Sequence, residues 1–206
     1  MTPPLFPHQQ LFAHADQWFN RARAALLGAL PCQRGCCRCC VGSFAITLLD
    51  VDTLQEGLAT LPPETRLCIE QRAREQAEAM EAVYPRLKKS RDVSEWEDDQ
   101  LDHLAEHFAD LPCPALAADG SCHIYDFRPF TCRTTGIPVE HDGVVHGACE
   151  VQTAVPLIKL SHIVRTQEDD LAAREAHALH TRRISTDRLA ESEEVFLPYG
   201  FLNNER

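Results

Sequence analysis

The first twenty residues, MTPPLFPHQQLFAHADQWFN, contain neither Lys nor Arg, and they do contain Asp16. A secretory signal needs a short basic stretch followed by an apolar run. The nearest run here, Ala24-Ala-Leu-Leu-Gly-Ala-Leu30, is late and short. No window approaches the ~18 consecutive apolar residues of a membrane span. Basic residues are few throughout, 20 against 31 acidic ones, for a formal net charge of −11. That balance denies the chain the basic face that nucleic acid or an anionic membrane surface requires. Also missing are a Gly-rich phosphate loop, a nucleophile elbow and an HExxH helix, so no familiar enzymatic motif stands out. No internal repeat and no low-complexity linker divides the chain. These absences predict a soluble cytoplasmic protein of one domain, 1–206, with no nucleic-acid or membrane partner.

What the chain has in excess is cysteine, ten in 206 residues, with Cys32, Cys36, Cys37, Cys39 and Cys40 inside nine consecutive positions. A chain of this length buries a core without covalent staples. Scattered buried thiols do not explain such density, and a disulfide framework belongs to exported chains. In a reducing compartment clustered cysteines serve as metal ligands or redox thiols.

Around them the pattern is helical. Leu11, Phe12, Ala15, Trp18, Phe19, Ala22, Ala25, Leu26 and Ala29 recur at helical spacing, predicting an amphipathic helix over 8–29. A short strand is expected at 44–48 and a helix over 50–61 with Asp50 as its cap. A long charged helix follows over 64–89, with Pro63 in its first turn and Leu67, Ala73, Ala77, Met80, Val83 and Leu87 on its apolar side. A further helix is expected at 98–110. From 111 to 150 Pro, Gly and Cys punctuate short apolar runs, with turn signals at Asp119-Gly120 and Asp142-Gly143. Hairpins, irregular loops and one helical turn near 127–133 are expected there. Helical periodicity returns over 155–183, within a C-terminal extension 155–206 whose last twenty residues are expected to lie on the surface or fray. The predicted fold is mainly α, with irregular cysteine-rich loops and short β-hairpins organised by metal.

Cys113, Cys122, Cys132 and Cys149 all lie in the loop-rich segment, like the second half of a metal site built from two distant loops. In the first knot the spacing Cys32-x3-Cys36-x2-Cys39-Cys40 leaves Cys37 as an insertion. Adjacent side chains point apart, so Cys39 and Cys40 are expected to serve different metals, or one of them to stand behind a ligand. Four thiolates from each segment make eight, enough for two four-thiolate centres. Cys68, on the charged helix, is expected to pack rather than ligate. Arg128 and Arg133 flank Cys132; they either donate to thiolates and offset their charge, or pair with surface carboxylates. Tyr125 and Ile124 are expected in the core. His123, His141 and His146 lie near ligand cysteines and could substitute as ligands or shuttle protons, although a lone loop histidine is more often neither.

The knot CQRGCCRCC, followed by CPALAADGSCHIYDFRPFTCR and Cys149, resembles the YkgJ-type cysteine-cluster family of zinc- or iron-chelating proteins, which includes the flagellin lysine N-methylase. Cys32, Cys36, Cys39 and Cys40 match its knot. Cys113-Pro114-Ala115-Leu116, Cys122-His123-Ile124-Tyr125, Arg128-Pro129-Phe130-Thr131-Cys132-Arg133 and Cys149 match the remainder, so the likeness spans 32–149. It implies a metal-binding core over those residues, with an iron–sulfur cluster or zinc as cofactor and a structural or electron-transfer role, with or without a protein partner. Cys₄ spacing suits both metals, and contiguous cysteines favour the cluster. The alternative implied by the methylase member is an iron–sulfur-dependent protein lysine N-methylase-like enzyme. The C-x3-C-x2-C spacing also fits radical S-adenosylmethionine enzymes, but Arg38 stands where those have an aromatic, and their repeated strand–helix units are absent.

Overall fold

Leu11, Phe12, Ala15, Trp18 and Ala22 recur every three or four positions, and all five are buried, which fixes one face of the first helix, α1 (Pro7–Ala25). A computed structural model describes residues 7–25, 35–137, 139–141, 144–146, 162–186 and 194–202. Residues 26–29 of the expected first helix, the Asp142-Gly143 turn and residues 155–161 of the expected last helix lie outside them. Seven α-helices occur among the described residues, with two small two-stranded antiparallel sheets, so the chain is mainly helical as expected. No helix among them is long and apolar enough to cross a membrane. The residues group into two compact units.

Unit 1 draws on Met1–Cys39 and Phe130–Leu189. Here α1 packs against the short α5 (Phe130–Thr134) and the long α6 (His162–Thr186). Leu171 and Ala178, two turns apart on α6, are buried. At the surface Arg21 Nε donates to Gln167 Oε1 at 3.1 Å. Strands β2 (Val139–His141) and β3 (Val144–His146) pair in the register Val139↔His146, an expected hairpin.

Unit 2 draws on Cys40–Pro129 and Ala190–Arg206. Strand β1 (Ala45–Thr47) leads directly into α2 (Leu48–Ala59). Asp50 is not the cap, as the sequence suggested. Thr47 takes that place, and Asp50, three residues on, accepts from both Thr47 N (3.1 Å) and Thr47 Oγ1 (3.3 Å). Helix α3 (Pro63–Val83) begins on its proline as expected but stops well before 89. Pro85 forbids helical geometry at Tyr84, whose ψ is 80°, and a 3₁₀ turn over Pro85–Lys88 follows. Its buried face is Ile69, Ala73, Ala77 and Met80; Leu67, 64% exposed, and Val83 point outward. Helix α4 (Asp98–His107) closes the set.

The largest departure from the sequence reading is the C-terminal segment. Of the last twenty residues the described ones, 194–202, neither fray nor lie on the surface, and the rest lie outside the described residues: β4 (Glu194–Phe196) pairs antiparallel with β1, Ala45 opposite Phe196. The single turn α7 (Leu197–Gly200) then packs on α2 and α3. Val195, Phe196, Leu197, Tyr199, Phe201 and Leu202 are all buried in one cluster with Ile46, Leu54, Ile69 and Met80. The run VFLPYGFL carried that signal, masked by the polar residues on either side of it.

Candidate metal centre

The described part of the first knot begins at Gly35, whose φ of 88° is open to glycine at little cost. Cys36 and Cys37 follow, then a 3₁₀ turn over Arg38–Cys40. All four thiols, Cys36, Cys37, Cys39 and Cys40, are half-buried. Within unit 2 the chain leaving Cys40 is tied to the second cysteine segment by its backbone. Cys113 N donates to Cys40 O at 2.7 Å, Gly42 N donates to Leu111 O at 2.8 Å, and Val41 and Pro112 form an isolated antiparallel bridge. Gly42 has φ 103°, and a Cβ there would meet Ala109 O at 3.4 Å, so a larger residue would strain this junction.

The second segment folds as a small hairpin. Leu116 bridges Cys122, Ala117 N donates to Ser121 O, and His123 N donates to Ala115 O. The Asp119-Gly120 turn stands where the sequence put it, with Gly120 at φ 83°. Asp119 Oδ1 accepts from Ser121 Oγ (2.6 Å) and Ser121 N (2.9 Å), which holds its carboxyl below the usual range. Beyond the hairpin a 3₁₀ turn covers Tyr125–Phe127. Phe127 sits so close to α2 that a Cβ on Gly57 would lie 2.7 Å from its own Cβ. Arg128 is extended, as the residue before Pro129 must be.

Three expectations need correction. Ile124 is core, but Tyr125 is 49% exposed, and the Arg128 guanidinium lies 3.7 Å from its ring centroid. Arg133, in unit 1, pairs with a carboxylate, one of the two alternatives expected of it, but from a buried position and not at the surface. It is 5% exposed, its Nη1 pairs with Asp16 of α1, and its guanidinium lies 5.1 Å from the Phe12 centroid. Cys68 is exposed on α3, against the expectation that it packs.

Of the eight expected ligands, Cys36, Cys39 and Cys132 fall in unit 1 and Cys40, Cys113 and Cys122 in unit 2, all six half-buried. Cys32 and Cys149 lie outside the described residues, as do the side chains of His141 and His146. His123 is exposed. Partial burial, thiol chemistry and the Cys40–Cys113 backbone pairing suit a thiophilic metal. Among the described residues, however, no group of three or more Cys, His, Asp or Glu side chains is gathered as an ion would require. Set against protein-family models, curated proteins and solved structures, the chain matches none.

Proposed function

We propose that this is a cytoplasmic metal-binding protein of the YkgJ-type cysteine-cluster kind. In this reading it takes an iron–sulfur cluster or zinc through Cys32, Cys36, Cys39, Cys40, Cys113, Cys122, Cys132 and Cys149. The observation that carries the reading is the hydrogen bond from Cys113 N to Cys40 O. It makes backbone neighbours of the last cysteine of the first segment and the first cysteine of the second, which nothing in their sequence separation requires. Cys122 follows in the same hairpin. A fully cysteine-ligated cluster would supply one-electron transfer, and a Zn(Cys)₄ site a cross-link between loops. The protein's own part is to present thiols from loops anchored by backbone hydrogen bonds, with half-burial limiting the access of water and oxidants.

Anaerobic purification followed by elemental analysis and ultraviolet–visible spectroscopy tests the proposal. Stoichiometric iron with brown charge-transfer absorption supports the cluster, and stoichiometric zinc in colourless protein supports the structural form. Sub-stoichiometric metal, with all ten thiols titratable in the native protein, defeats both. A spin-resonance signal of the reduced protein that shifts on adding S-adenosylmethionine would instead favour the methylase-like alternative.

A further inference from the structure

The cysteine loop is gripped from a second side, by α3. Gln76 Nε2 donates to Pro112 O at 2.8 Å. Arg72 Nη1 donates to Leu116 O at 3.1 Å and reaches Pro114 O at 3.5 Å, the long limit of a hydrogen bond. Residues 72 and 76 are four apart and so share one face of the helix, and the carbonyls they meet belong to alternate residues of the loop. Prolines on both sides of Cys113 explain why the grip takes this form. Proline has no N–H, so the loop around Cys113 offers mainly acceptors, and its partner must bring donors. Arginine and the glutamine amide supply them.

Gln76 is an uneconomical choice for packing alone. Its Oε1 is buried and has no hydrogen-bond partner among the described residues, a cost that an apolar side chain of similar size would avoid. The amide earns its place through the bond to Pro112. Arg72 is exposed, where a solvated helix face needs no particular residue, yet its guanidinium is turned onto the loop. With Cys113 N bound to Cys40 O, the backbone on both sides of this one cysteine is fixed.

We infer that Arg72 and Gln76 are positioning residues for the Cys113 thiol, setting how readily that loop opens and hence how tightly Cys113 holds metal. The purpose assigned to the grip rests on the metal-binding reading; its geometry does not. The test uses full-length protein with Arg72→Ala plus Gln76→Ala, the single variants Gln76→Met and Arg72→Lys, and Arg74→Ala as a control on the same helix. Alkylation of each cysteine by iodoacetamide is followed by mass spectrometry in chelator-treated protein. Zinc affinity is measured by competition with a chromophoric chelator. Cys113 in the double variant should react about tenfold faster, with the already exposed Cys68 unchanged, and zinc affinity should fall by a similar factor. Arg72→Lys, keeping one donor and the charge, should stay within about threefold of the native protein. Unchanged Cys113 reactivity in a folded variant overturns the inference, as does equal acceleration of every cysteine, which would signal general loosening. Should the double variant fail to fold, Gln76→Met makes the same comparison with volume preserved. If the native protein takes up neither zinc nor iron, the metal-binding reading falls, while the alkylation arm still decides whether α3 positions Cys113.

Discussion

The cysteine loop 111–122 and the C-terminal segment 194–202 are both short stretches of unit 2 punctuated by proline and glycine, yet they are held by opposite means. In the C-terminal segment seven of nine side chains are apolar and buried, and the larger aliphatic and aromatic ones each contribute roughly 1.5–3 kcal/mol by leaving water. In the cysteine loop only Pro114 and Ala115 are buried, and the hold comes from hydrogen bonds to Cys40, Gly42, Arg72 and Gln76. Such bonds contribute about 1 kcal/mol each where water competes. The difference teaches that one segment is held by side chains buried in its unit, whereas the other rests mainly on hydrogen bonds and, in the proposed reading, leaves stability for a metal to supply.

The sharpest way to break this comparison is to remove metal. A strong thiolate site carries on the order of 10 kcal/mol of folding free energy. Chelation should therefore speed hydrogen exchange at Cys113 and Leu116, while the amides of Leu197 and Phe201 stay protected. Equal loosening of both segments, or none, would show that ligation does not distinguish them.

A smaller but still large effect is expected from Phe201→Ala, which empties a site only 1% exposed. The expected loss is about 3–5 kcal/mol, a substantial part of the stability of an ordinary domain, read as a lowered denaturation midpoint. A loss under about 1 kcal/mol would mean that the segment rests on the core without forming it.

The smallest effect sharpens the contrast through pH. Burial first, and then the charge of Glu81 3.5 Å from the hydroxyl, push the Tyr199 phenol well above its ordinary range. The folded protein keeps a proton that the unfolded chain releases near the ordinary tyrosine value of about 10. The contribution is thus complete below that pH and drains away as pH rises past it. Urea unfolding from about pH 9 to about pH 11 should show falling stability, and Tyr199→Phe should flatten the slope. An unaltered slope would place its origin elsewhere.

Much of the helical framework was legible because period and punctuation agree. The stripe from Leu11 to Ala22 marks α1, and Pro63 marks the start of α3. Pro85 marks the end of α3 as plainly, but the expected helix ran past it, because Leu87 continues the apolar spacing from within the 3₁₀ turn. Asp50 carries cap chemistry but stands three residues beyond the cap itself, since a capping box divides the task between Thr47 and Asp50. The Asp119-Gly120 turn was legible from its dipeptide alone. Arg72 and Gln76 were not, because a polar residue on a charged helix reads as solvated, and its acceptors here are main-chain carbonyls.

By itself, then, the sequence determined the local matters: the helical stripes, the proline breaks, the glycine turn and the concentration of thiols. Each is set by a residue's own backbone preference or by neighbours within a turn or two. Only the tertiary structure decided that VFLPYGFL pairs with Ala45–Thr47 and enters the core, that Arg133 is buried against Asp16, and that Cys113 is bound to Cys40. Such partners are chosen by burial and backbone hydrogen bonding over long chain separations. Every residue carries the same carbonyl, so no side-chain pattern announces which of them a distant donor will find.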